Sequence, residues 1–260
     1  MIVLFTSKNI ASGNIAKKLI ERHGFVSTQN KKQWERESVL LIDTEAPAVI
    51  EVPTDFETDC LIVLSTHRSK TPGKMLTAHV PGNWGKAEMG GEPRTLNVAH
   101  ASMLKALIIA LKCEADKISW PVSIEADHHG PTCSVPIIFV EIGNNEEQWG
   151  DEQAGEAVAD AVAGVLFGEK IAPAQTVCGF GGGHYSKRFT TLMIESGYAV
   201  GHIAPKYAID DMGIDMFRQA VEKNVEKASK ALILKDETNL AQKEKIKRFA
   251  EESGIEVEMI

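Results

Sequence analysis

Short apolar runs alternate with amphipathic helical patterns along most of this chain of 260 residues. A strand-like run at 2–6, for example, is followed by a helical pattern at 14–24. Such alternation favours an α/β fold with helices on both faces of a mostly parallel sheet. The apolar runs at 121–126 and 135–142 have no helix between them, which predicts one antiparallel pair. We therefore expect a three-layer sandwich around a mixed, mostly parallel sheet.

The length and even composition of the chain indicate a single domain over residues 1–260, since 260 residues can bury a sizeable core. Residues 215–260 hold two further helical patterns and two strand-like runs, and we expect them to form a small C-terminal subdomain. Residues 68–96 are rich in glycine and proline without clear periodicity, so we expect a long loop. Loops of that length are usually functional or disordered.

Charge and cysteine content narrow the classes of function. The net charge is −8, whereas a protein that coats nucleic acid would be basic, so any contact with nucleic acid needs a local basic patch. The four cysteines are scattered without a CxxC pair, which is typical of a reducing cytosol and argues against a zinc ribbon. No apolar run is long enough to span a membrane, and the first residues lack the pattern of a signal peptide. We expect a cytoplasmic protein.

Six of the eight histidines lie at, or in the loop beyond, the C-terminal end of a predicted strand. In open α/β sheets the ligand-binding crevice forms outside these strand ends. Imidazoles that converge there indicate metal binding, proton transfer or both. The six are His67, His79, His128, His129, His184 and His202.

The stretch EADHHGPT at 125–132 carries two of these histidines side by side. An extended backbone would place Asp127 and His129 on one face and His128 on the other. We therefore expect His128 and His129 not to bind one ion together. Glu141, at the end of the neighbouring apolar run, is the natural carboxylate partner for this cluster.

The stretch GFGGGHY at 179–185 contains three consecutive glycines before a predicted helix. Glycines let backbone N–H groups approach a ligand closely, and the start of the helix favours an anion. The pattern is neither GxGxxG nor a Walker loop, so it does not indicate a nucleotide site. We expect Gly181, Gly182, Gly183 and Tyr185 to contact the substrate, and His184 to face the reacting group.

Taken together, these motifs resemble the archaeal and plant type of D-aminoacyl-tRNA deacylase. The resemblance covers nearly the whole chain and rests on STHRSKTPGKMLTAHVPGNW at 65–84, HHGPT at 128–132, FVEIGNNEEQW at 139–149, GGGHY at 181–185 and GHIAPKY at 201–207. It implies a fold similar to those of phosphorylases and peptidyl-tRNA hydrolases. It also implies hydrolysis of the ester bond of D-aminoacyl-tRNA, which frees tRNA and the D-amino acid. A glycine loop that contacts backbone shape would tolerate many amino-acid types.

The resemblance also implies a zinc enzyme with two ions per subunit. The expected metal ligands are His67, His79, His128, His202 and Glu141, and the expected catalytic residues are His128, His129, His184 and Glu141. The family usually has threonine at the position of Asp127, which shifts weight from Asp127 to its neighbours. The expected tRNA-binding residues are Arg68, Lys70, Lys74, Lys187, Arg188 and Lys206.

Two other functions fit the same sequence features. A metal-dependent amidase or peptidase on this fold would use the histidines without needing the basic loops. A non-catalytic RNA-binding module would keep the basic residues but gives no reason for six clustered histidines. The aminoacylated 3′ end of tRNA is the only partner that the sequence indicates, and we expect a monomer.

Overall fold

Fourteen strands and eight α-helices make up the described part of the computed structural model, residues 1–69 and 73–260. The strands are β1 (Ile2–Phe5), β2 (Val26–Ser27), β3 (Gln33–Arg36), β4 (Val39–Asp43), β5 (Leu61–Thr66), β6 (Met75–His79), β7 (Gly82–Asn83), β8 (Thr95–Leu96), β9 (Val122–Ile124), β10 (Ile137–Gly143), β11 (Gln175–Phe180), β12 (Tyr198–Ala204), β13 (Lys230–Ile233) and β14 (Glu256–Met259). The helices are α1 (Ile10–Arg22), α2 (Ala101–Lys117), α3 (Glu146–Trp149), α4 (Glu152–Phe167), α5 (Lys187–Glu195), α6 (Lys206–Ile209), α7 (Ile214–Glu222) and α8 (Leu240–Ser253).

The larger sheet has eight strands in the order β2-β3-β4-β1-β5-β10-β6-β9. Its centre, β4-β1-β5-β10, is parallel, and β6 runs antiparallel to β10. The expected α/β fold with a mixed, mostly parallel sheet is confirmed. The expected antiparallel pair is wrong, because β6 lies between β9 and β10 and pairs with both. The long loop expected at 68–96 is also wrong in part, since it contains β6, β7 and β8.

A second sheet is fully parallel, in the order β12-β11-β13-β14. This sheet cannot be told from the first by sequence, because both sheets consist of short apolar runs between helices. Residues 215–260 supply β13 and β14 to this sheet, which begins earlier in the chain with β11. None of the helices in the described ranges is long and apolar enough to cross a membrane.

Helices α1, α2 and α4 cover one face of the larger sheet. Their apolar stripes recur every three or four residues, as Ile15 and Leu19 do in α1, and are fully buried. They pack in one cluster with inward-facing strand residues such as Ile62 and Val140. Burying an aliphatic side chain of this size contributes roughly 1.5–3 kcal/mol.

The opposite face of β5 and β10 changes character along each strand. Val63 and Phe139 pack in a second apolar cluster, whereas Ser65 and Glu141, two residues further on, are polar and buried. Side chains two residues apart share a face of a strand, so these polar groups continue the same surface. The alternation therefore directs buried polar side chains into one region at the carboxyl ends of the parallel strands.

Candidate metal centre and active site

Glu141 is fixed on the floor of this region by its two neighbouring strands. It pairs with Ser65 of β5 and with Thr77 of β6, so the three side chains share one face. The Ser65 hydroxyl donates to one carboxylate oxygen of Glu141 at 2.7 Å, and the Thr77 hydroxyl lies 3.4 Å from the other. Glu141 is 2% exposed, so its charge needs partners inside the protein.

His67 and His79 face Glu141 from the two flanking strands. Nδ1 of His67, directly after β5, lies 3.1 Å from Glu125 and 3.4 Å from Glu141. His79, at the end of β6, is fully buried, and its ring stacks on Phe139 with the centroids 5.5 Å apart. Both ring nitrogens of His79 are buried without a hydrogen-bond partner in the described part of the chain. A buried ring nitrogen that forms no hydrogen bond is well suited to bind a metal ion.

His128 and His129 turn toward the same region, contrary to the expectation from an extended backbone. His129 has a φ of +47°, so the chain bends into the left-handed region there and does not continue as a strand. The two ring centroids lie 4.4 Å apart, and His79 lies 4.3 Å from His128 and 5.0 Å from His129. One ligand atom from each of the three imidazoles falls within 4.8 Å of the others. The three can therefore hold one ion together.

Glu125 is the site residue that sequence analysis missed, although it begins the stretch EADHHGPT. It follows β9 directly and is 1% exposed. Its carboxylate lies 2.8 Å from Nε2 of His184 and 3.6 Å from Nε2 of His128. These contacts lack hydrogen-bond geometry, so both oxygens remain without a donor among the described residues. The available signal was its position, since Glu125 is an acidic residue directly after an apolar strand and shortly before two candidate site histidines.

His184 and Tyr185 reach the site from the second sheet. The chain leaves β11 through the glycine loop and forms an isolated β-bridge between Tyr185 and Glu125. The Ala126 N–H donates to the His184 carbonyl at 2.9 Å, which locks the two segments side by side. The Tyr185 hydroxyl hydrogen-bonds Nε2 of His67. A partner on the second ring nitrogen fixes the orientation of an imidazole whose first nitrogen faces a ligand.

The three glycines of this loop differ in what surrounds them. Gly181 and Gly182 have φ values of +115° and +80°, which residues with a side chain rarely adopt. A Cβ on Gly181 would lie 2.9 Å from Thr238, and one on Gly182 would lie 3.3 Å from Leu234. Gly183 is exposed, and a Cβ there would meet nothing within 4 Å. The first two glycines thus serve the turn, and only Gly183 offers unobstructed backbone.

Charge in the site is dominated by the two buried carboxylates. Burial alone would raise the pKa of Glu125, but close contacts with His184 and His67 hold it well below its usual value. Burial alone would lower the pKa of His67, but its contacts with Glu125 and Glu141 outweigh this and raise it to about 11. The pKa of His79 is raised in the same way by Glu141. The site therefore demands positive charge, which a cation can supply.

Burial has the opposite result for the HHGPT histidines. It lowers the pKa of His128 to about 2, and the nearby His79 adds to the shift. It lowers the pKa of His129 to about 4, again with a contribution from His79. A neutral imidazole is the form that binds a metal ion.

Among the residues that the structure describes, three groups of side chains have the spacing of metal ligands. They are His79 with His128 and His129, His67 with Glu125 and His184, and His79 with Glu125 and Glu141. Histidine nitrogen with carboxylate oxygen is a donor set that suits zinc. The nitrogens of His79 and the oxygens of Glu125 fit such an ion, because they are buried and form no hydrogen bond among the described residues, while the contacts of Glu125 are with other candidate ligands.

His202 does not belong to any of these groups. Its Nδ1 lies 2.6 Å from the Asp127 carboxylate, and its Nε2 lies 2.8 Å from the Lys223 carbonyl. Asp127 also accepts a hydrogen bond from the Ile203 N–H at 2.8 Å. With both ring nitrogens engaged, His202 connects β12 to the HHGPT segment and does not present the metal ligand expected from the sequence.

The basic residues expected to bind tRNA are exposed wherever the structure describes them. Arg68 follows His67 and lies over the ring of Trp149, and Lys74 lies over the ring of Trp120. The remaining described members, Lys187, Arg188 and Lys206, are exposed at the starts of α5 and α6. Lys70 lies outside the described residues.

Comparison with known proteins finds one matching family model and several related sequences. Residues 54–258 match the family model for D-aminoacyl-tRNA deacylase. The D-aminoacyl-tRNA deacylase of Thermococcus kodakarensis is 32% identical over 268 aligned positions, which cover 98% of each chain. That of Ignicoccus hospitalis is 39% identical over 199 positions, covering 76% of this chain and 80% of the relative.

Solved structures include a close match in fold. The crystal structure of a conserved protein of unknown function superposes with a TM-score of 0.89 at 27% identity, covering 99% of this chain and 94% of that one. The model match over most of the chain and the identity to named relatives agree. The chain therefore belongs to the D-aminoacyl-tRNA deacylase family.

Proposed function

We propose that the protein hydrolyses the ester bond of D-aminoacyl-tRNA and releases tRNA and the D-amino acid. The observation that carries this proposal is the cluster of five histidines and two buried glutamates, several of whose donor atoms have no partner among the described residues. Family membership supports the substrate, because the curated relatives are named for this activity. Since charged tRNA is used in translation, we place the enzyme in the cytoplasm. We further propose that it acts as a monomer.

We further propose that the cluster binds zinc at two positions. His79, His128 and His129 would hold the first ion, and His67, Glu125 and His184 would hold the second. The two groups share no residue, which supports two ions. Zinc bound there would lower the pKa of a bound water to about 7 and would polarise the ester carbonyl.

The other residues hold these groups in place. In this assignment His128, His129 and His184 contribute to catalysis as ligands. Glu141 is a positioning residue, because its carboxylate lies 3.4 Å from His67 and 3.9 Å from His79. The exposed backbone of Gly183 would bind the amino or carbonyl group of the substrate. Contact with backbone alone would leave the enzyme broadly tolerant of amino-acid type.

Release of free amino acid is the direct test. The purified protein is assayed with D-tyrosyl-tRNA, L-tyrosyl-tRNA and a D-tyrosyl peptide, and its metal content is measured in parallel. We expect release from D-tyrosyl-tRNA alone, loss of activity with a chelator and recovery with zinc. Cleavage of the peptide without release from the tRNA would instead assign the site to an amidase or peptidase.

A further inference from the structure

A cavity of about 490 Å³ opens beside the ligand groups. His128 and His129 form part of its wall, so the cavity is continuous with the candidate active site. Its volume falls within the range of ~300–1,000 Å³ of pockets that hold small organic molecules. The residues assigned above to the metal ions and to the glycine loop leave this space unfilled.

The cavity has an apolar and partly aromatic lining. Trp84 and Met89 line it from the segment after β7, and Tyr207 lines it from α6. Tyr207 is 64% exposed and Met89 57%, and large apolar side chains this exposed are few in the described ranges. Exposed apolar groups at the edge of an active site indicate a surface that a ligand covers. An exposed aromatic ring is the surface on which a nucleobase stacks.

Besides the histidines, the charged side chains that line the cavity are Lys86, Glu88, Asp127 and Asp211. Lys86 and Asp211 both line the cavity and are exposed. Neither forms an ion pair within the described part of the chain. The ammonium of Lys86 can contact a phosphate, and the carboxylate of Asp211 can accept from an exocyclic amino group.

Backbone hydrogen bonds attach these walls to the site. The Gly130 N–H donates to the Met89 carbonyl at 3.0 Å, and the Gly82 N–H donates to the His128 carbonyl at 3.2 Å. The Lys206 N–H donates to the Gly182 carbonyl at 2.9 Å, which ties α6 to the glycine loop. A group bound in the cavity is thereby held at a fixed place relative to the metal ligands.

We propose that this cavity binds the 3′-terminal adenosine of tRNA, with its base against Tyr207 and Met89. The inference rests on the proposed function, since the terminal ribose carries the ester that is cleaved. The sugar lies toward His128 and His129, and the aminoacyl group lies beyond them, beside Gly183. Base stacking would place the ester without reading the sequence of the tRNA.

Binding of uncharged tRNA tests the assignment without any chemical step. Affinity is measured for a tRNA that ends in CCA and for the same tRNA lacking its terminal adenosine. The wild-type protein should prefer the intact tRNA by about tenfold, the size of one base–aromatic stack. Tyr207→Ala should bind both tRNAs equally, at the level of the trimmed one. Tyr207→Phe keeps the ring and should keep the preference.

Two further variants test whether the effect is specific to the cavity. Leu240→Ala removes another exposed apolar side chain, 70% exposed and outside the cavity, and should keep the full preference. Met89→Ala is a second cavity variant and should weaken the preference. Because Tyr207 and Met89 are exposed, the variants at these positions should have the melting temperature of the wild-type protein.

Two outcomes would overturn the assignment. The first is a Tyr207→Ala protein that still prefers the intact tRNA as strongly as the wild type. The second is unchanged tRNA binding together with an altered ratio of kcat/KM between D-tyrosyl-tRNA and D-alanyl-tRNA, which would give the cavity to the amino-acid side chain. Hydrolysis of D-tyrosyl-tRNA by the wild type is assayed separately. Its absence would refute the proposed function alone, because the CCA preference still reports on the cavity.

Discussion

Nε2 of His184 lies 2.8 Å from the Glu125 carboxylate, so the loop that leaves the small sheet meets the end of a strand in the large one. The β-bridge between Tyr185 and Glu125 and the hydrogen bond from the Ala126 N–H to His184 hold this junction. The second proposed metal position draws on both sheets. A metal ion bound there would therefore couple metal binding to the joining of the two sheets.

Glu125→Gln should separate metal binding from simple packing. The amide keeps the size of the side chain but removes the buried charge that faces three histidines. We expect at least a roughly 100-fold loss of zinc affinity at the second position and a comparable loss of deacylation. Metal analysis after dialysis and the rate with D-tyrosyl-tRNA measure the two effects.

Glu195→Gln is the control for that substitution, because Glu195 is exposed on α5, away from the ligand groups. It should keep both the zinc content and the rate. If Glu125→Gln retained two zinc ions per chain, the assignment of Glu125 as a ligand would be wrong.

The placement of the histidines after strands could be predicted from sequence, and the structure explains why. His67 follows β5 of the larger sheet, and His184 lies in the loop after β11 of the smaller sheet, so the carboxyl ends of strands from both sheets supply histidines to the site. Glu141 was predicted for a similar reason, as the carboxylate at the end of the neighbouring apolar run. The periodicity of a strand is local, so the sequence reports it directly.

Long-range pairing and local backbone geometry could not be predicted in this way. β6 lies within a stretch rich in glycine and proline, so its pairing with β10 was hidden and His79 was placed in a loop. The positive φ at His129 depends on tertiary contacts, since a non-glycine residue reaches that region only when its surroundings hold it there. Likewise, the burial that makes Glu125 significant arises only when both sheets are assembled.

His202→Ala and His79→Ala should have different effects. Removing His202 leaves the buried Asp127 without one partner, which costs about 1–3 kcal/mol of stability. We expect a lower melting temperature with the zinc content intact. His79→Ala should instead lose the zinc ion of the first position. Zinc loss from His202→Ala at a temperature where it remains folded would return His202 to the ligand set.

Alanine at Gly182 and at Gly183 distinguishes the turn from the substrate surface. Gly182→Ala forces a side chain into a φ of +80° against Leu234, so it should destabilise the fold by about 1 kcal/mol. Its deacylation at low temperature should be normal. Gly183→Ala meets no protein atom, so its melting temperature should be unchanged while kcat/KM for D-tyrosyl-tRNA falls roughly tenfold. Normal turnover by Gly183→Ala would exclude the loop from substrate binding.

Charge reversal at the start of α5 should weaken tRNA binding in a salt-dependent way. Lys187 and Arg188 are exposed next to Tyr185, on a chain whose net charge is −8. The double variant with glutamate at both positions should raise KM roughly tenfold at low salt and flatten the salt dependence, because fewer counterions are released. The kcat should change much less, since neither side chain belongs to a ligand group. The adjacent exposed pair Lys247 and Arg248 on α8 provides a control with the same change of charge. Equal effects of the two double variants would show that net charge, and not a docking surface beside the site, governs tRNA affinity.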